Sequence, residues 1–376
     1  MNTRNRSKLK VAVIGCGEVA RMRHLPGFLR LKKDVSISAV CDVDRSIANI
    51  VAEKFGIPHA YSDFRELLAL DKPDIVAVCT PPKTHTSIVT ESMESGCHVF
   101  LEKPMALSVA DCDNMISSSR KYGAKLCIAH TARFYPPYQK AQELVKNGVI
   151  GKLTNMNILF SVPSSQYIDK KDHWINKLLG GAVEECGPHL VYLSLPFLKE
   201  IKSIGAFATK TTSHSWVAFD NYNIMLEGKE AVCHIINTYG GDYTVFEIDL
   251  IGTKGLLKLD LQSMSQVFSR GQRIEPMSSS IRSSGVLLAS YSLNVAGQII
   301  KNVASNAFAT LSGKTFVSHY ILIQSFIESI VREKQVPVPP EEGRETVRIM
   351  EKIVYILNQK SSNVGVRAVC ESNCMC

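Results

Sequence analysis

Three short stretches of this chain carry side chains arranged for chemistry. The first is Val99-Phe100-Leu101-Glu102-Lys103-Pro104, an apolar run ending in a carboxylate, an ammonium and a proline. The run reads as a short buried strand that Pro104 stops, because proline has no N–H to give a ladder. In an open parallel sheet ligands bind just past the carboxyl ends of the strands, so Lys103 would stand at the mouth of a crevice with its proton affinity tuned by partial burial. The second is Gly15-Cys16-Gly17-Glu18-Val19-Ala20, a G-x-G-x-x-A pattern directly after the apolar run Lys10 to Ile14. Its first glycine suits a tight turn, its second the close approach of backbone to a pyrophosphate, and its small last residue the packing of helix on strand. The third is Gly180-Gly181-Ala182-Val183-Glu184-Glu185-Cys186-Gly187-Pro188-His189. An acid and a histidine at i and i+4 share a helix face, so Glu185 can orient the His189 imidazole, a side chain suited to general-base work.

Elements of two periods must hold these groups. Strand patterns at Lys10 to Ile14, Val35 to Cys41, Ile75 to Cys79, Val99 to Leu101 and Lys125 to Ile128 alternate with helical patterns. The helical ones run from the glycine motif through Pro26 to Leu31, over Arg45 to Phe55, from Asp63 to Leu70, over Thr84 to Ser95 and over Ala110 to Tyr122. Such alternation predicts a parallel sheet with helices on both faces. Asp42 ends the second strand 22 residues beyond Ala20, where an acid meets the adenosine ribose of a dinucleotide. Arg45, three residues on, would instead suit a 2′-phosphate. His85 opens a helix after Thr80-Pro81-Pro82, and its N-terminus would face the cofactor. A nucleotide-binding domain over residues 1–131 is expected.

Past residue 131 the pattern changes. Lys152 to Ser161, Ser203 to Thr209, Tyr222 to Glu227, Val232 to Thr238, Thr244 to Ile251 and Leu256 to Leu261 alternate or run apolar as strands, the last two joined across Gly252-Thr253-Lys254-Gly255. Residues 262–285 show no pattern. Val286 to Leu311 carries a single charge at helical spacing, and His319 to Val331 and Glu345 to Leu357 are amphipathic. An α+β domain over 132–360 is expected, then a disordered tail, 361–376, with Cys370, Cys374 and Cys376.

With 376 residues, 45% hydrophobic, the chain can bury two cores. The net charge of +8 is dispersed apart from Arg4, Arg6, Lys8 and Lys10, so nucleic acid is not an expected partner, while anionic small molecules are favoured. No run approaches the length of a membrane span and no secretory leader is evident, which points to a cytoplasmic protein. Of the eleven cysteines, Cys41, Cys79, Cys97 and Cys127 read as small core residues of a reducing compartment, not as a disulfide framework, and no metal site is expected.

GCGEVA, Cys41-Asp42, VAVCTPPKTH and VFLEKP, in this order and spacing, resemble the Gfo/Idh/MocA family of NAD(P)-dependent oxidoreductases, whose signature is the Glu-Lys-Pro after the fifth strand. The resemblance implies an N-terminal Rossmann domain followed by an α+β domain with a large, mostly antiparallel open sheet. It implies NAD, with NADP possible, held by Gly15, Gly17, Glu18, Val19, Asp42, Arg45, Thr80, Pro81, His85, Glu102 and Lys103. Lys103, His189 and Glu185 are the implied catalytic residues, with Arg133, Tyr135, Asp172, His173 and above all Trp174 at the substrate. The chain departs from the family in having Glu185 where an aspartate is usual, with Glu184 beside it as the other acid that could take that place, and Tyr192 where another aspartate often follows the histidine. The implied reaction moves a hydride between nicotinamide and a secondary hydroxyl of a sugar, cyclitol or sugar nucleotide. Redox-neutral epimerisation or bond cleavage with transient use of NAD, and a non-catalytic cofactor-binding sensor, are the alternatives. A homodimer or homotetramer is expected.

Overall fold

The computed structural model describes residues 7–270, 289, 292–304, 307 and 317–371, with side chains up to 359 apart from those of Arg270 and Val317. The fold has two compact units: one holds residues up to Phe134 with 316–348, and the other holds 135–315 with the remainder from Ile349.

The first unit is built on six parallel strands: β1 (Leu9–Ile14), β2 (Val35–Cys41), β3 (His59–Tyr61), β4 (Ile75–Val78), β5 (His98–Leu101) and β6 (Leu126–Ile128), in the order β3-β2-β1-β4-β5-β6. The order reverses between β1 and β4, so a crevice opens there at the carboxyl edge. The central strands β4 and β5 are buried on both faces, which explains their unbroken apolar sequence. After β1 the chain makes one π-helical turn, Ala20–His24, in which Leu25 N–H reaches back to the Ala20 carbonyl, before the short helix α1 (Leu25–Leu29). Pro26 cannot donate to the preceding turn, and the helix widens just before it. Helices α2 (Arg45–Phe55), α3 (Phe64–Asp71), α4 (His85–Glu94) and α5 (Val109–Tyr122) make the crossovers. Asp44, Asp63 and Ser108 cap α2, α3 and α5 by accepting backbone N–H bonds.

The second unit contains α6 (Pro136–Lys146) and α7 (Val183–Leu198) and a seven-stranded sheet of β7 (Leu153–Ser161), β8 (Ile201–Thr209), β9 (Asn221–Gly228), β10 (Val232–Thr238), β11 (Val245–Gly252), β12 (Gly255–Asp260) and β13 (Ser265–Arg270). Its order is β13-β12-β11-β7-β10-β9-β8, antiparallel except where β10 runs beside β7. β9 and β10 alternate buried and exposed residues, as expected of a sheet with one face covered, here by α7. β13 lies within the stretch that shows no sequence pattern, and β3 was also unforeseen. A helix over 292–304 (α8) covers the edge of β13: Gln298 bonds both the N–H and the carbonyl of Phe268, and Asn302 donates to the Gln266 carbonyl.

Helix α9 (Val317–Val331), which the sequence groups with the second domain, packs in the first unit, where Leu322, Ile323, Phe326 and Ile327 join the core around β1, β4 and β5. Helix α10 runs Pro340–Glu371, past the residue 360 at which the sequence ends the ordered domain. The side chain of Cys370, and Cys374 and Cys376 entirely, lie outside the described residues. The eight described cysteines are all buried thiols, among them Cys41, Cys79, Cys97 and Cys127, which the sequence places in the core.

Candidate active site

In the first unit the expected cofactor groups leave the carboxyl edge of adjacent strands. Gly15 sits at φ +93°, and a β-carbon there would lie 2.7 Å from the Cys79 carbonyl carbon at the end of β4. Only glycine allows β1 and β4 to turn away from each other so closely. Gly17 has nothing within 4 Å of where its β-carbon would be, which leaves its backbone open to a ligand. Those two glycines therefore fit the roles a pyrophosphate requires. Asp42 is partly exposed at the end of β2, and its carboxylate accepts from Cys16 N (2.8 Å) and Asp44 N (3.1 Å), tying the acid to the glycine turn. Arg45 is exposed on the first turn of α2. Thr80 and Pro81 lie on the turn after β4, where Thr84 Oγ1 donates to Pro81 O or Thr80 Oγ1.

Two residues expected at the cofactor turn inward instead. His85 is fully buried, with Nε2 2.8 Å from the Thr80 carbonyl and Nδ1 3.1 and 3.2 Å from those of Pro104 and Met105. It bridges the turns after β4 and β5, and burial lowers its proton affinity. The Glu102 carboxylate is 2.6 Å from His24 Nε2, and its other oxygen accepts from Lys103 N at 3.0 Å. Arg133, expected at the substrate, is ion-paired with Glu342 within the same unit. A helix-start position or a strand-end position locates these residues along the chain, but the sequence does not say which way they point.

In the second unit the glycine-rich segment is held from below by two buried tyrosines. Tyr222 Oη lies 3.0 Å from the Gly180 carbonyl, and Tyr239 Oη donates to the Ala182 carbonyl at 2.8 Å. Gly181 sits at φ +68°, and a β-carbon there would lie 2.8 Å from the Tyr222 hydroxyl. Glu184 reaches back to accept from Gly180 N, so of the two adjacent acids it is the one that closes the turn. Glu185 and His189 stand half-buried four residues apart on α7. The His189 Nδ1 is 2.7 Å from the hydroxyl of Tyr192, the residue that replaces the family's usual aspartate.

Trp174 is half exposed on a 3-10 turn, its ring stacked on His173 at 6.0 Å. His173 is pushed down by burial and by Lys170, with Glu185 opposing, and burial and then Cys186 and Glu185 push the Tyr167 hydroxyl up. The segment bearing these aromatics is fastened by Asp169 to His214 (2.9 Å) and by Trp216 Nε1 to the Ile168 carbonyl (2.9 Å). Tyr135 is the N-cap residue of α6, and Asp172 is exposed. Sequence reasoning missed Tyr167, Tyr222, Tyr239 and His214, which come from separate strands and loops with no shared spacing. Among the described residues no cluster of three or more His, Cys, Asp or Glu could hold a metal ion.

Comparison with known proteins follows the same division. A model described as an oxidoreductase family with an NAD-binding Rossmann fold matches residues 9–130, and a model of the GFO/IDH/MocA C-terminal domain matches 138–258. D-glucoside 3-dehydrogenase of Escherichia coli (strain K12) is 37% identical over 147 residues, 39% of this chain and 42% of that protein. Myo-inositol 2-dehydrogenase of Thermotoga maritima is 32% identical over 161 residues, 43% of this chain and 48% of that one. These matches thus span less than half the length of either relative. The WlbA dehydrogenase from Bordetella pertussis, solved with NADH and UDP-GlcNAcA, superposes with a TM-score of 0.72 over 94% of this chain and 97% of that one at 17% identity, which shows a shared fold.

Proposed function

The chain belongs to the Gfo/Idh/MocA family of oxidoreductases, and from that premise we propose that it oxidises or reduces a secondary hydroxyl of a sugar, cyclitol or sugar nucleotide with NAD. The observation that carries this reading is the shared sheet edge: the open Gly17 turn follows β1, Thr80 follows β4, and Lys103 follows the neighbouring β5. When bound, NAD supplies the hydride chemistry. Gly15 and Gly17 would take the pyrophosphate and Asp42 the adenosine ribose.

Lys103 donates a hydrogen bond to the reacting oxygen and stabilises the charge that grows there as the hydroxyl proton leaves. His189 accepts that proton at Nε2, since its Nδ1 is engaged by Tyr192. With the Tyr192 hydroxyl accepting from Nδ1–H, the neutral ring keeps a lone pair on Nε2 for oxidation, and the imidazolium formed there returns that proton in reduction with the same Nδ1–H bond kept. One hydrogen bond therefore serves oxidation and reduction alike. The Trp174 face offers a platform for the C–H face of a sugar ring, a surface that is apolar over an edge of hydroxyls.

The test is absorbance of reduced nicotinamide with the purified protein, NAD and a panel of sugars, inositols and nucleotide sugars. Net reduction with one compound is expected, and it names the substrate. Tight NAD binding with no net reduction by any compound would overturn net oxidation in favour of redox-neutral chemistry or sensing. Lys103→Ala should lose on the order of 10²–10³-fold in kcat with NAD affinity largely kept. Wild-type turnover in that variant would remove Lys103 from the mechanism.

A further inference from the structure

Beneath the sheet edge that presents Lys103 lies a buried ion pair to which the mechanism above gives no part. His24 is fully buried, and its Nε2 stands 2.6 Å from Glu102 Oε1, while Glu102 Oε2 accepts the main-chain N–H of Lys103 at 3.0 Å. The histidine is delivered by the π-helical turn Ala20–His24, an irregularity that occurs often at functional positions. Its ring is held edge-on against Phe100 of β5 (5.5 Å) and His319 of α9 (6.0 Å).

We propose that His24 is a positioning residue for Lys103: its imidazolium keeps the Glu102 carboxylate ionised and turned inward, and that carboxylate holds the main chain from which the lysine side chain departs. The proposal rests on the role of Lys103 given above. A carboxylate this deep in the protein takes up a proton unless a cation answers it, and a protonated Glu102 would be a weaker acceptor for Lys103 N–H. The charged and titratable groups facing the pair are Arg23 on the same turn, Cys79 at the end of β4, Lys103, and His319 from α9. Burial alone would push His24 down, but Cys79, a thiol whose own ionisation burial opposes, and Glu102 raise it to about 10. Burial would push Glu102 up, but His24, with His319 and Lys103 assisting, holds it at about 2. Burial pushes His319 down to about 4, so at neutral pH it leaves Glu102 Oε1 to His24, whose Nε2 stands 2.6 Å away.

The deciding measurement is the side-chain nitrogen resonance of His24 in ¹⁵N-histidine-labelled protein, with and without NAD, assigned by its proximity to the Phe100 ring. Both nitrogens should remain protonated to about pH 9, and a neutral imidazole at about pH 7 would overturn the proposal. Kinetics of His24→Gln, Glu102→Gln and the double variant give a second reading. His24→Gln should lose about tenfold to a hundredfold in kcat with little change in KM for NAD. It should also gain an ionisation in its pH profile that is absent from the wild type and from the double variant. A merely structural histidine would lower stability without adding that ionisation. Unchanged kcat and pH profile in His24→Gln, with Lys103→Ala inactive, would overturn the role of His24 alone. Full activity in Lys103→Ala would overturn the reading on which it rests.

Discussion

Asp42 and Asp44 sit together where β2 gives way to α2, and the nearby Arg45 points into solvent. A 2′-phosphate brought there meets two carboxylates, which favours NAD over NADP. Asp42→Ala should weaken NAD binding and improve the relative use of NADP, measured as the ratio of kcat/KM for the two cofactors, and an unchanged ratio would place the ribose elsewhere. The His24–Glu102 pair makes a prediction about stability as well. A histidine raised in the fold from 6.5 to about 10 stabilises fully below pH 6.5, and that contribution drains away as pH climbs toward 10. A glutamate lowered from 4.5 to about 2 stabilises fully above pH 4.5 and loses its contribution as pH falls toward 2. The pair therefore favours the folded state most between those limits, from about pH 4.5 to 6.5. Because His85, His98 and His319 are lowered and act in the opposite direction, the pair is isolated by comparison with the His24→Gln/Glu102→Gln double variant. The Tm advantage of the wild type over that variant should shrink steadily above pH 6.5, and a constant difference would contradict a charged His24.

At the scale of elements, the turn after β1 is the most constrained piece of the first unit. Gly15→Ala asks a β-carbon to occupy a left-handed backbone position already filled by the end of β4, at a cost of about 1–3 kcal/mol in strain alone. Loss of NAD binding together with a lowered Tm is expected, whereas Gly17→Ala, with open space above it, should impair binding and leave Tm nearly unchanged. What the sequence could and could not say follows from the same physics. β1, β2, β4, β5 and β6 were legible because buried parallel strands need unbroken apolar runs. β3 is three residues long and β13 is a polar stretch whose edge is satisfied by Gln298 and Asn302, so neither carries a periodic signal of its own. The placement of α9 beside β1 and β5 depends on which apolar face finds which core, a tertiary choice that amphipathicity alone leaves open. The motif residues stand out in the sequence by their spacing, but the inward turn of His85 and Glu102 depends on carbonyls and a histidine far away in sequence.

The whole molecule bears on association through the face of the second sheet opposite α7, where described residues of β8, β9 and β10 expose apolar side chains. The register sets Phe207, Asn223, Ile236, Leu159 and Glu247 in one row across β8, β9, β10, β7 and β11, with Met225, His234, Asn157 and Asp249 in the next. Phe207, Ile236 and Met225 are 54, 45 and 43% exposed, three large apolar side chains on neighbouring strands, with Glu227 at the end of β9 and Glu247 and Asp249 on β11 flanking them. A flat face of this kind is self-complementary about a two-fold axis, since each copy presents the same apolar patch and the same polar flank. The homodimer or homotetramer expected from the sequence is therefore best served by this face meeting a second copy. Among the described residues no helix is long and apolar enough to cross a membrane. Light scattering should find the wild type at twice its 41.5 kDa chain mass or more, and Ile236→Asp, which buries a charge at the centre of the contact, should release the single chain. A monomeric wild type at micromolar concentration, or an Ile236→Asp variant that still assembles, would assign the face to solvent.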